Sequence, residues 1–259
     1  KLTKANWSDF VKKSSTFAVN MATRGLAISA KLFDHDSSQA QKLAANLQKK
    51  LSLRGEIVAR SAIKSAIGFI SANFIIAKDI KQAIKHGDKK ELKDYLFSFD
   101  MLGEGALTDE DASYYYKQYL DAIHTLGSHY QYKKDSPLNA GISVKLSALH
   151  PRYEFLEQEA IYQELLPQVQ TILSVAQKYH VNICIDAEES ERLLPSLWII
   201  DHLAHDDQFA NWNGFGLAVQ AYQKRAHEVI DYLEKLAKET QRRFQVRLVK
   251  GAYWDSEIK

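Results

Sequence analysis

The stretch GISVKLSAL, residues 141–149, places a lysine inside a run that otherwise has the pattern of a buried β-strand. Ile142 and Val144 suit an apolar interior, whereas Lys145 has no acidic residue beside it in the sequence. An ammonium group left unpaired in such an interior costs several kcal/mol or loses its proton. We therefore expect Lys145 to have a functional partner that its own strand does not supply.

Four further runs repeat the strand pattern, and amphipathic helical segments separate them. The β-rich runs are 95–102, 141–149, 181–188, 214–222 and 244–253, and the helical segments lie near 109–127, 157–179, 189–204 and 223–240. The interval between successive strands shrinks from about 46 to about 31 residues along the chain. This βα rhythm predicts parallel strands joined by right-handed crossovers.

The two faces of the predicted strands differ, and the difference favours a barrel over an open sheet. One face carries branched apolar pairs: Ile142/Val144, Ile183/Ile185, Leu217/Val219 and Val246/Leu248. The other face is small or polar: Ser143/Lys145, Asn182/Cys184/Asp186, Gly216/Ala218/Gln220 and Gln245/Arg247. An open sheet with helices on both sides should be apolar on both faces. We therefore predict an α/β fold of the (β/α)8-barrel type with about five strands present, since a closed eight-stranded barrel needs on the order of 100 further residues.

The segment before the first strand shows only helical periodicity, with apolar residues three to four positions apart. We expect an all-helical N-terminal arm over residues 1–75. The five βα units of the barrel would then occupy residues 76–259, with the C-terminal part of the barrel missing.

Three local signals predict where helices begin. Thr108 is followed three positions later by Asp111, the pattern of an N-terminal capping signal. Pro167 and Pro195 lie inside otherwise helical patterns, and proline removes a backbone donor from a helix interior. Each proline therefore predicts a kink or a late helix start.

Composition narrows the class of protein. The chain has 259 residues, 46% of them hydrophobic, a formal net charge of +2 and a single cysteine. The charge gives no bias toward nucleic acid, and one cysteine excludes an internal disulfide framework and favours a reducing compartment. The longest apolar stretch, residues 65–77, falls short of the roughly 18 residues that a spanning helix needs. No signal-peptide pattern follows Lys1, so we expect a soluble piece of a longer protein.

Four polar residues lie at the carboxyl ends of successive predicted strands: Lys145, Asp186, Gln220 and Arg247. Barrel enzymes gather functional side chains at these ends. Two cations, a carboxylate and an amide around one cavity suggest an anionic substrate and an electron-rich cofactor. Gly251, just past the fifth strand, lacks bulk and would let a cofactor lie against the backbone. The alternative is a satisfied polar network inside the barrel.

Other motifs carry weaker signals. The GEG sequence at 103–105 lacks a third glycine and is not a dinucleotide fingerprint. His202 and His205 share a helical face, but their surroundings do not predict a metal site. Cys184 lies in an apolar strand without an adjacent base and is interpreted as a core residue. Glu188 and Glu189 are expected in the first turn of a helix, where acids complement the dipole.

Longer motifs resemble a known family. GISVKLSALHPRYE, IDAEES, WNGFGLAVQAYQKR and RLVKGAYWDSEIK are similar in order and spacing to the proline dehydrogenase part of bacterial bifunctional proline utilisation A proteins. FDMLGEGALT and NWSDFVKKSSTFAVNMATRGL look like the same family, so the likeness covers essentially the whole chain. The resemblance implies a distorted (β/α)8 barrel after a helical arm. It also implies FAD-dependent oxidation of L-proline to Δ1-pyrroline-5-carboxylate, the first step of proline catabolism to glutamate.

The resemblance implies a catalytic role for three strand-end residues. Lys145 would hold the proline carboxylate, Asp186 would belong to the active-site network, and Arg247 would lie by flavin N5 and favour the reduced, anionic ring. Hydride would pass from proline to flavin N5. Glu104 would have a gating role, pairing with two arginines when the site closes. Those arginines and a substrate-shielding tyrosine belong to a last barrel helix that this chain does not reach.

The remaining implied contacts fall into two sets. The substrate-binding residues would be Lys145, Leu248, Ala252 and Tyr253. The cofactor-binding residues would be Ala187, Gln220, Arg247, Val249, Lys250, Gly251, Ala252 and Trp254. The family therefore predicts FAD as the cofactor and no metal.

The resemblance also implies partners and a location. Electrons would pass to a membrane quinone, and a second domain outside this chain would use NAD. We expect a homo-oligomer in the cytoplasm with peripheral association to the inner membrane. No nucleic-acid partner is expected from this segment.

Two rival functions come from other classes. Lys145 or Lys250 could be the Schiff-base nucleophile of an aldolase-type barrel. Alternatively, the chain could be an inactive fragment that acts as an interaction module through its helical arm. Flavin absorbance and borohydride trapping distinguish the dehydrogenase from the aldolase, and failure to bind either flavin or proline analogues would favour the module.

Overall fold

The computed structural model describes residues 75–92, 94–103, 105–130 and 139–257. The prediction of a helical arm over residues 1–75 lies almost wholly outside the described residues. The described residues from Asp79 onward belong to one compact unit. Within the described part of the chain, no helix combines the length and the apolar character that crossing a membrane requires.

Parallel strands form one five-stranded sheet in the described residues. They are β1 Ser98–Asp100, β2 Gly141–Val144, β3 Asn182–Ile185, β4 Phe215–Gln220 and β5 Gln245–Val249. Their spatial order is the chain order, β1-β2-β3-β4-β5, and every neighbouring pair is parallel. In a doubly wound sheet the spatial order of the strands reverses at a switch point, whereas strands that lie side by side in chain order are typical of a barrel. The structure is a half-barrel, as the strand faces predicted.

Helices connect the strands. They are α1 Ile80–Gly87, α2 Asp109–His129, α3 Gln158–Ala160, α4 Leu166–Tyr179, α5 Leu193–His205, α6 Ala226–Thr240 and α7 Trp254–Glu257. A π-helical segment, Ile161–Leu165, joins α3 to α4. Short 3₁₀ turns lie at Lys90–Leu92, Leu146–Ala148, Phe155–Glu157, Ser190–Arg192 and Asp207–Phe209. The four helical segments predicted between the strands all appear, with bounds shifted by a few residues.

The predicted start of α2 is confirmed, and both prolines lie at irregular points of their helical segments. Thr108 caps α2 in a full capping box, in which its hydroxyl accepts from the Asp111 N–H and the Asp111 carboxylate accepts from the Thr108 N–H. Pro167 stands in the first turn of α4, directly after the π-helical segment. Pro195 stands in the first turn of α5, after a 3₁₀ turn. Pro195 therefore occupies a position where a missing backbone N–H leaves no hydrogen bond unmade, whereas Pro167 lies inside a continuous helical run, directly after its π-helical irregularity.

The core lies between the outer face of the sheet and the helices. The outward side chains of β2, β3 and β4 are all buried: Ile142, Val144, Ile183, Ile185, Leu217 and Val219. The helices add Leu126 of α2, Ile172 of α4 and Ile199 of α5, each fully buried. Burying one such side chain stabilises the fold by about 1.5–3 kcal/mol. The inner face of the sheet is thereby left to small and polar side chains.

The last strand departs from this pattern. Val246 and Leu248 were expected to pack under helices, but they are 44% and 65% exposed. That prediction is wrong for β5, because a strand in a βα unit is covered by the helix that follows it. The only described helix after β5 is the four-residue α7.

Candidate active site

Lys145 follows β2 and holds two carboxylates from the neighbouring strands. Its Nζ lies 2.6 Å from Asp100 Oδ1, at the end of β1, and 3.0 Å from Asp186 Oδ2, just after β3. The Lys145 side chain is only 14% exposed. The lysine that has no acidic neighbour in the sequence therefore has two in space. Asp100 was not among the predicted site residues, although its place at a strand end was a signal that could have found it.

Arg247 extends across the inner face of the sheet from β5. Its Nη1 donates to Ser143 Oγ at 2.8 Å on β2, and its Nη2 donates to Asp186 Oδ1 beside β3. Ala218 pairs with Arg247 on the intervening strand β4, and its small side chain leaves room for the guanidinium. The structure thus brings Lys145, Asp186 and Arg247 into one cluster, with Asp186 as the bridge.

The four charges of the cluster balance one another. Burial by itself would lower the pKa of Lys145, but hydrogen bonds and charges from Asp100 and Asp186 outweigh it and raise the pKa above its usual value. Lys145 therefore stays protonated at neutral pH. Asp100 differs from the other members, because its side chain is 55% exposed. Its ion pair with Lys145 is consequently the one that solvent weakens most.

A tyrosine behind the cluster holds the backbone of the lysine. The Lys145 N–H donates to the Tyr119 hydroxyl at 3.1 Å, and Tyr119 on α2 is fully buried. Burial raises the pKa of Tyr119 to about 12, so the phenol stays neutral. Sequence reasoning missed Tyr119, because the helical pattern shows that it is inward-facing but not which strand it meets.

Gln220 lies at the end of β4 with both ends of its amide engaged. Its Nε2 donates to the Glu188 carbonyl at 2.8 Å, and its Oε1 accepts from the Ala252 N–H at 3.0 Å. Glu188 is buried, and its carboxylate accepts from the Ser147 N–H at 3.0 Å and from Arg192 at 2.9 Å. The interpretation of Glu188 as an acid in a helix first turn is wrong, because it precedes the 3₁₀ turn and serves specific donors.

The segment after β5 turns at a glycine. Gly251 has φ +119°, and a Cβ atom there would lie 1.9 Å from the Tyr222 ring. The Tyr222 ring meets Trp254 edge-on, with 5.6 Å between centroids. Among the other residues of this segment, Val249 and Tyr253 are half-buried, and Lys250, Ala252 and Trp254 are exposed.

Comparison with known proteins identifies the family. Residues 83–259 match the family model described as proline dehydrogenase. The chain belongs to the proline dehydrogenase family. A second model, described as the DNA-binding domain of proline dehydrogenase, matches residues 1–74. That description runs against the expectation that this segment has no nucleic-acid partner, and residues 1–74 lie outside the described part of the chain.

Curated relatives align with all or most of the chain. The bifunctional protein PutA of Escherichia coli (strain K12) is 40% identical over 261 residues, which span 100% of this chain and 19% of that protein. PutA of Rhizobium meliloti is 39% identical over 100% of this chain and 20% of its own length. Proline dehydrogenase 1 of Bacillus subtilis (strain 168) is 27% identical over 71% of this chain and 52% of its own. The chain spans about a fifth of the length of the PutA relatives.

Solved structures of the proline dehydrogenase family share the fold. A crystal structure of the D779Y mutant of Bradyrhizobium japonicum proline utilization A has a TM-score of 0.67 and 36% sequence identity. It covers 97% of this chain, which corresponds to 26% of the solved chain. A crystal structure of a bifunctional PutA protein covers 100% of this chain, with a TM-score of 0.67 and 35% identity.

Some residues that the family resemblance pointed to do not join the cluster. Successive strand residues face opposite sides, so Leu248 lies on the outer face, away from Arg247. The structure therefore does not bring Leu248 to the predicted substrate pocket. Glu104 lies outside the described residues, and its gating role stays a prediction. Ala187 follows Asp186 directly and is half-buried.

The histidine, cysteine and acidic side chains that the structure describes near the cluster do not form a metal site or a nucleophile. Within the described residues, no set of three or more His, Cys, Asp or Glu side chains could hold a metal ion. His202 packs against the Tyr162 ring, with 4.8 Å between centroids. Burial raises the pKa of Cys184 to about 12, which suits an inert thiol rather than a nucleophile.

Proposed function

We propose that the protein that contains this chain oxidises L-proline to Δ1-pyrroline-5-carboxylate with FAD. The observation that carries this proposal is the bridge that Asp186 makes between Lys145 and Arg247 at the strand ends of a proline dehydrogenase family chain. Lys145 would face the substrate carboxylate, and Arg247 would face the cofactor. The names of the PutA and proline dehydrogenase 1 relatives support this assignment.

The residues present fit a flavin. Arg247 Nε is buried and has no hydrogen-bond partner, so it has a donor to offer to an acceptor of a bound ring. Gly251 forms the turn after β5 with a φ of +119°, and the Tyr222 ring fills the space that a side chain there would need. Gln220, Val249 and Ala252 surround that turn and would hold the cofactor with Ala187, Lys250 and Trp254. When bound, FAD supplies an acceptor for the hydride of proline at N5 and a carrier of electrons to a membrane quinone.

Arg247 would stabilise the negative charge that reaction places next to it. Its guanidinium is fixed by Ser143 and Asp186 and needs no reorganisation during the reaction. A preorganised cation in a partly buried site stabilises developing charge more than water does. Asp186 holds Arg247 and Lys145 together, and as an ionised carboxylate it can only accept hydrogen bonds.

Lys145 would bind the carboxylate of proline by exchanging one partner. Asp186 is buried with it, but Asp100 is exposed and can leave without a large cost. A proline carboxylate that replaces Asp100 keeps the charge of the cluster unchanged. The fixed ammonium then orients the ring carbon next to nitrogen for hydride loss.

The Schiff-base rival receives no support from the geometry. A nucleophilic lysine must be neutral when it attacks a carbonyl. The two carboxylates around Lys145 raise its pKa above the usual value and keep it protonated. Lys250, the other candidate, is exposed.

The partners and the location follow from the proposed chemistry. A quinone acceptor requires that an otherwise cytoplasmic enzyme touches the inner membrane peripherally. The word bifunctional in the names of the PutA relatives supports a second catalytic domain, which we propose uses NAD. We also propose a homo-oligomer, whose state can be measured by light scattering.

An absorbance spectrum of the purified full-length protein, before and after addition of L-proline, tests this function. We expect flavin bands that bleach when proline is added under anaerobic conditions. A colourless protein that binds no added FAD, or flavin bands that proline leaves unchanged, would overturn the proposal. Borohydride trapping of Lys145 or Lys250 with a carbonyl compound would instead support the aldolase. A folded protein that binds neither FAD nor proline analogues would support the interaction module.

A further inference from the structure

A chain of hydrogen bonds links the loops that follow the five strands. Ser147, in the 3₁₀ turn after β2, accepts from the loop after β1: its Oγ takes the Gly105 N–H at 3.0 Å and its carbonyl takes the Ala106 N–H at 2.8 Å. The Ser147 N–H then donates to Glu188 after β3. The Glu188 carbonyl receives the Gln220 amide from β4. Each of these hydrogen bonds joins the loops that follow two neighbouring strands. The chain of hydrogen bonds therefore runs along the carboxyl-terminal edge of the sheet, where the active-site cluster lies.

The last link reaches the segment proposed to hold the flavin. Backbone bonds extend the β4–β5 ladder past the strands, from the Ala221 N–H to Val249 O at 2.8 Å and from the Tyr222 N–H to Lys250 O at 3.1 Å. Beyond these backbone bonds, the Gln220 side chain provides the next acceptor, and its Oε1 accepts from the Ala252 N–H at 3.0 Å. The orientation of the Gln220 amide, and with it the place of Ala252, depends on the Glu188 carbonyl that receives its NH₂ group.

Glu188 lies in the middle of this chain of hydrogen bonds, and its side chain is held in one orientation. Its side chain is only 3% exposed, and its two carboxylate oxygens serve different donors. Oε1 accepts from the Ser147 N–H at 3.0 Å, and Oε2 accepts from Arg192 Nη1 at 2.9 Å. Burial raises the pKa of Glu188, while hydrogen bonds from Ser147 and the charge of Arg192 oppose that rise. A buried carboxylate with these partners is fixed in one orientation, because losing either partner would leave a buried group unsatisfied.

We infer that Glu188 is a positioning residue that fixes the loops after β2, β4 and β5 relative to one another and thereby holds the flavin-binding segment in place. This inference rests on the proposed function, since it assigns the segment around Ala252 to the cofactor. Glu188 touches none of the charged groups of the active-site cluster in the described structure. Its effect on the cofactor therefore passes through Ser147 on one side and through Gln220 on the other.

The full-length protein with Glu188→Gln tests the inference, and Glu189→Gln is a matched control. The Ser147 N–H and Arg192 donate to different carboxylate oxygens of Glu188, and a carboxamide replaces one of these oxygens with an NH₂ donor, so one of the two donors loses its acceptor. Glu189 also pairs with Arg192, at 3.0 Å, but it lies half-exposed at the surface. The control therefore removes one carboxylate from Arg192 and leaves the Ser147 link intact.

Two measurements are needed. Hydrogen–deuterium exchange of the Ser147 and Ala252 amides in the FAD-free protein reports the loop links directly. We expect exchange about tenfold faster in Glu188→Gln than in Glu189→Gln. The dissociation constant of FAD should rise about tenfold, or about 1.4 kcal/mol, in Glu188→Gln alone. The affinity of the FAD-loaded protein for a carboxylated proline analogue should change less than twofold, because Lys145 is untouched.

The outcomes separate the inference from the proposed function. Equal exchange in the two variants, or faster exchange with unchanged FAD affinity, would overturn the positioning role. A wild-type protein that binds no FAD would overturn the proposed function, and the exchange rates would then decide the loop link alone. If Glu188→Gln does not fold, Ser147→Ala replaces it, because it removes the hydroxyl that accepts from Gly105 and whose hydrogen bonding also lowers the pKa of the Glu188 carboxyl. Faster exchange at Gly105 together with weaker FAD binding would support the inference, and unchanged values would overturn it.

Discussion

The guanidinium of Arg247 meets the carboxylate of Asp186 across the inner face of the half-barrel, although 61 positions separate the two residues in the chain. The contact passes over strand β4, which lies between β3 and β5, and the inner-face residues of β4 there, Gly216 and Ala218, have small side chains or none. A Cβ atom at Gly216 would lie 1.9 Å from the Gln245 carbonyl oxygen, so that position requires glycine. Ala218, which pairs with Arg247, leaves room on β4 for the charge cluster that we propose binds proline and FAD.

Replacing Arg247 by methionine should leave the fold intact and slow flavin reduction by proline roughly 10²- to 10³-fold, because a preorganised cation is lost from beside the cofactor. Single-turnover reduction followed by stopped-flow absorbance measures the effect. Arg247→Lys is the control, since it keeps the charge but cannot bridge Ser143 and Asp186 with a planar fork. We expect an intermediate rate for it. An unchanged rate in Arg247→Met would remove Arg247 from the mechanism.

Replacing Lys145 by alanine should weaken the binding of carboxylated proline analogues about 10- to 100-fold, because a charge-assisted hydrogen bond to the ligand is lost. Equilibrium titration of the flavin spectrum measures this affinity. Pyrrolidine, which lacks the carboxylate, is the ligand control and should bind both proteins alike. Equal affinities of the two proteins for the carboxylated analogue would contradict the role assigned to Lys145.

Replacing Asp100 by asparagine should have the opposite effect on the same titration. The exposed Asp100 carboxylate competes with the ligand for Lys145, and an exposed ion pair contributes at most about 1 kcal/mol. We therefore expect carboxylated analogues to bind up to about fivefold more tightly. Asp94→Asn, a change at an exposed acid before β1, controls for the loss of one negative charge. Weaker binding in Asp100→Asn would mean that Asp100 helps to hold the ligand.

Cys184 should resist alkylation in the folded protein. Burial raises the pKa of Cys184 from 9.0 to about 12, so the thiolate fraction at pH 8 falls roughly a thousandfold and the alkylation rate falls with it. The stability linked to the neutral thiol should persist below about pH 9 and decrease as the pH rises toward 12. Iodoacetamide labelling followed by mass spectrometry measures the rate, with the urea-unfolded chain as reference. Equal rates in the folded and unfolded chains would disprove the prediction.

Removing the cap of α2 should destabilise the protein. Thr108→Ala eliminates the hydroxyl that accepts from the Asp111 N–H and should lower the free energy of unfolding by about 1 kcal/mol. Urea denaturation followed by circular dichroism measures the change. Thr108→Ser keeps the hydroxyl and should stay within a few tenths of the wild-type value. A Thr108→Ala protein as stable as wild type would show that the cap does not contribute.

Local patterns in the sequence were enough to predict much of the fold. The period of two in each β-run separated an apolar face from a polar face, and the βα spacing implied parallel strands. The structure confirms both for β2, β3 and β4, together with the cap at Thr108. The prediction that the outer face of β5 is buried was wrong, because the burial of that face depends on a covering helix and not on the strand itself.

The sequence by itself determined which residue types stand at the ends of the strands, since alternation along a strand is a local property of the backbone. Only the tertiary structure decided how those residues pair. Lys145 bonds to Asp100 and Asp186, and Glu188 bonds to Ser147, because parallel strand pairing brings together strand ends that lie about 40 positions apart in the sequence. Coulombic attraction and hydrogen bonding act over a few ångströms in space, and no spacing along the chain specifies which ends will meet.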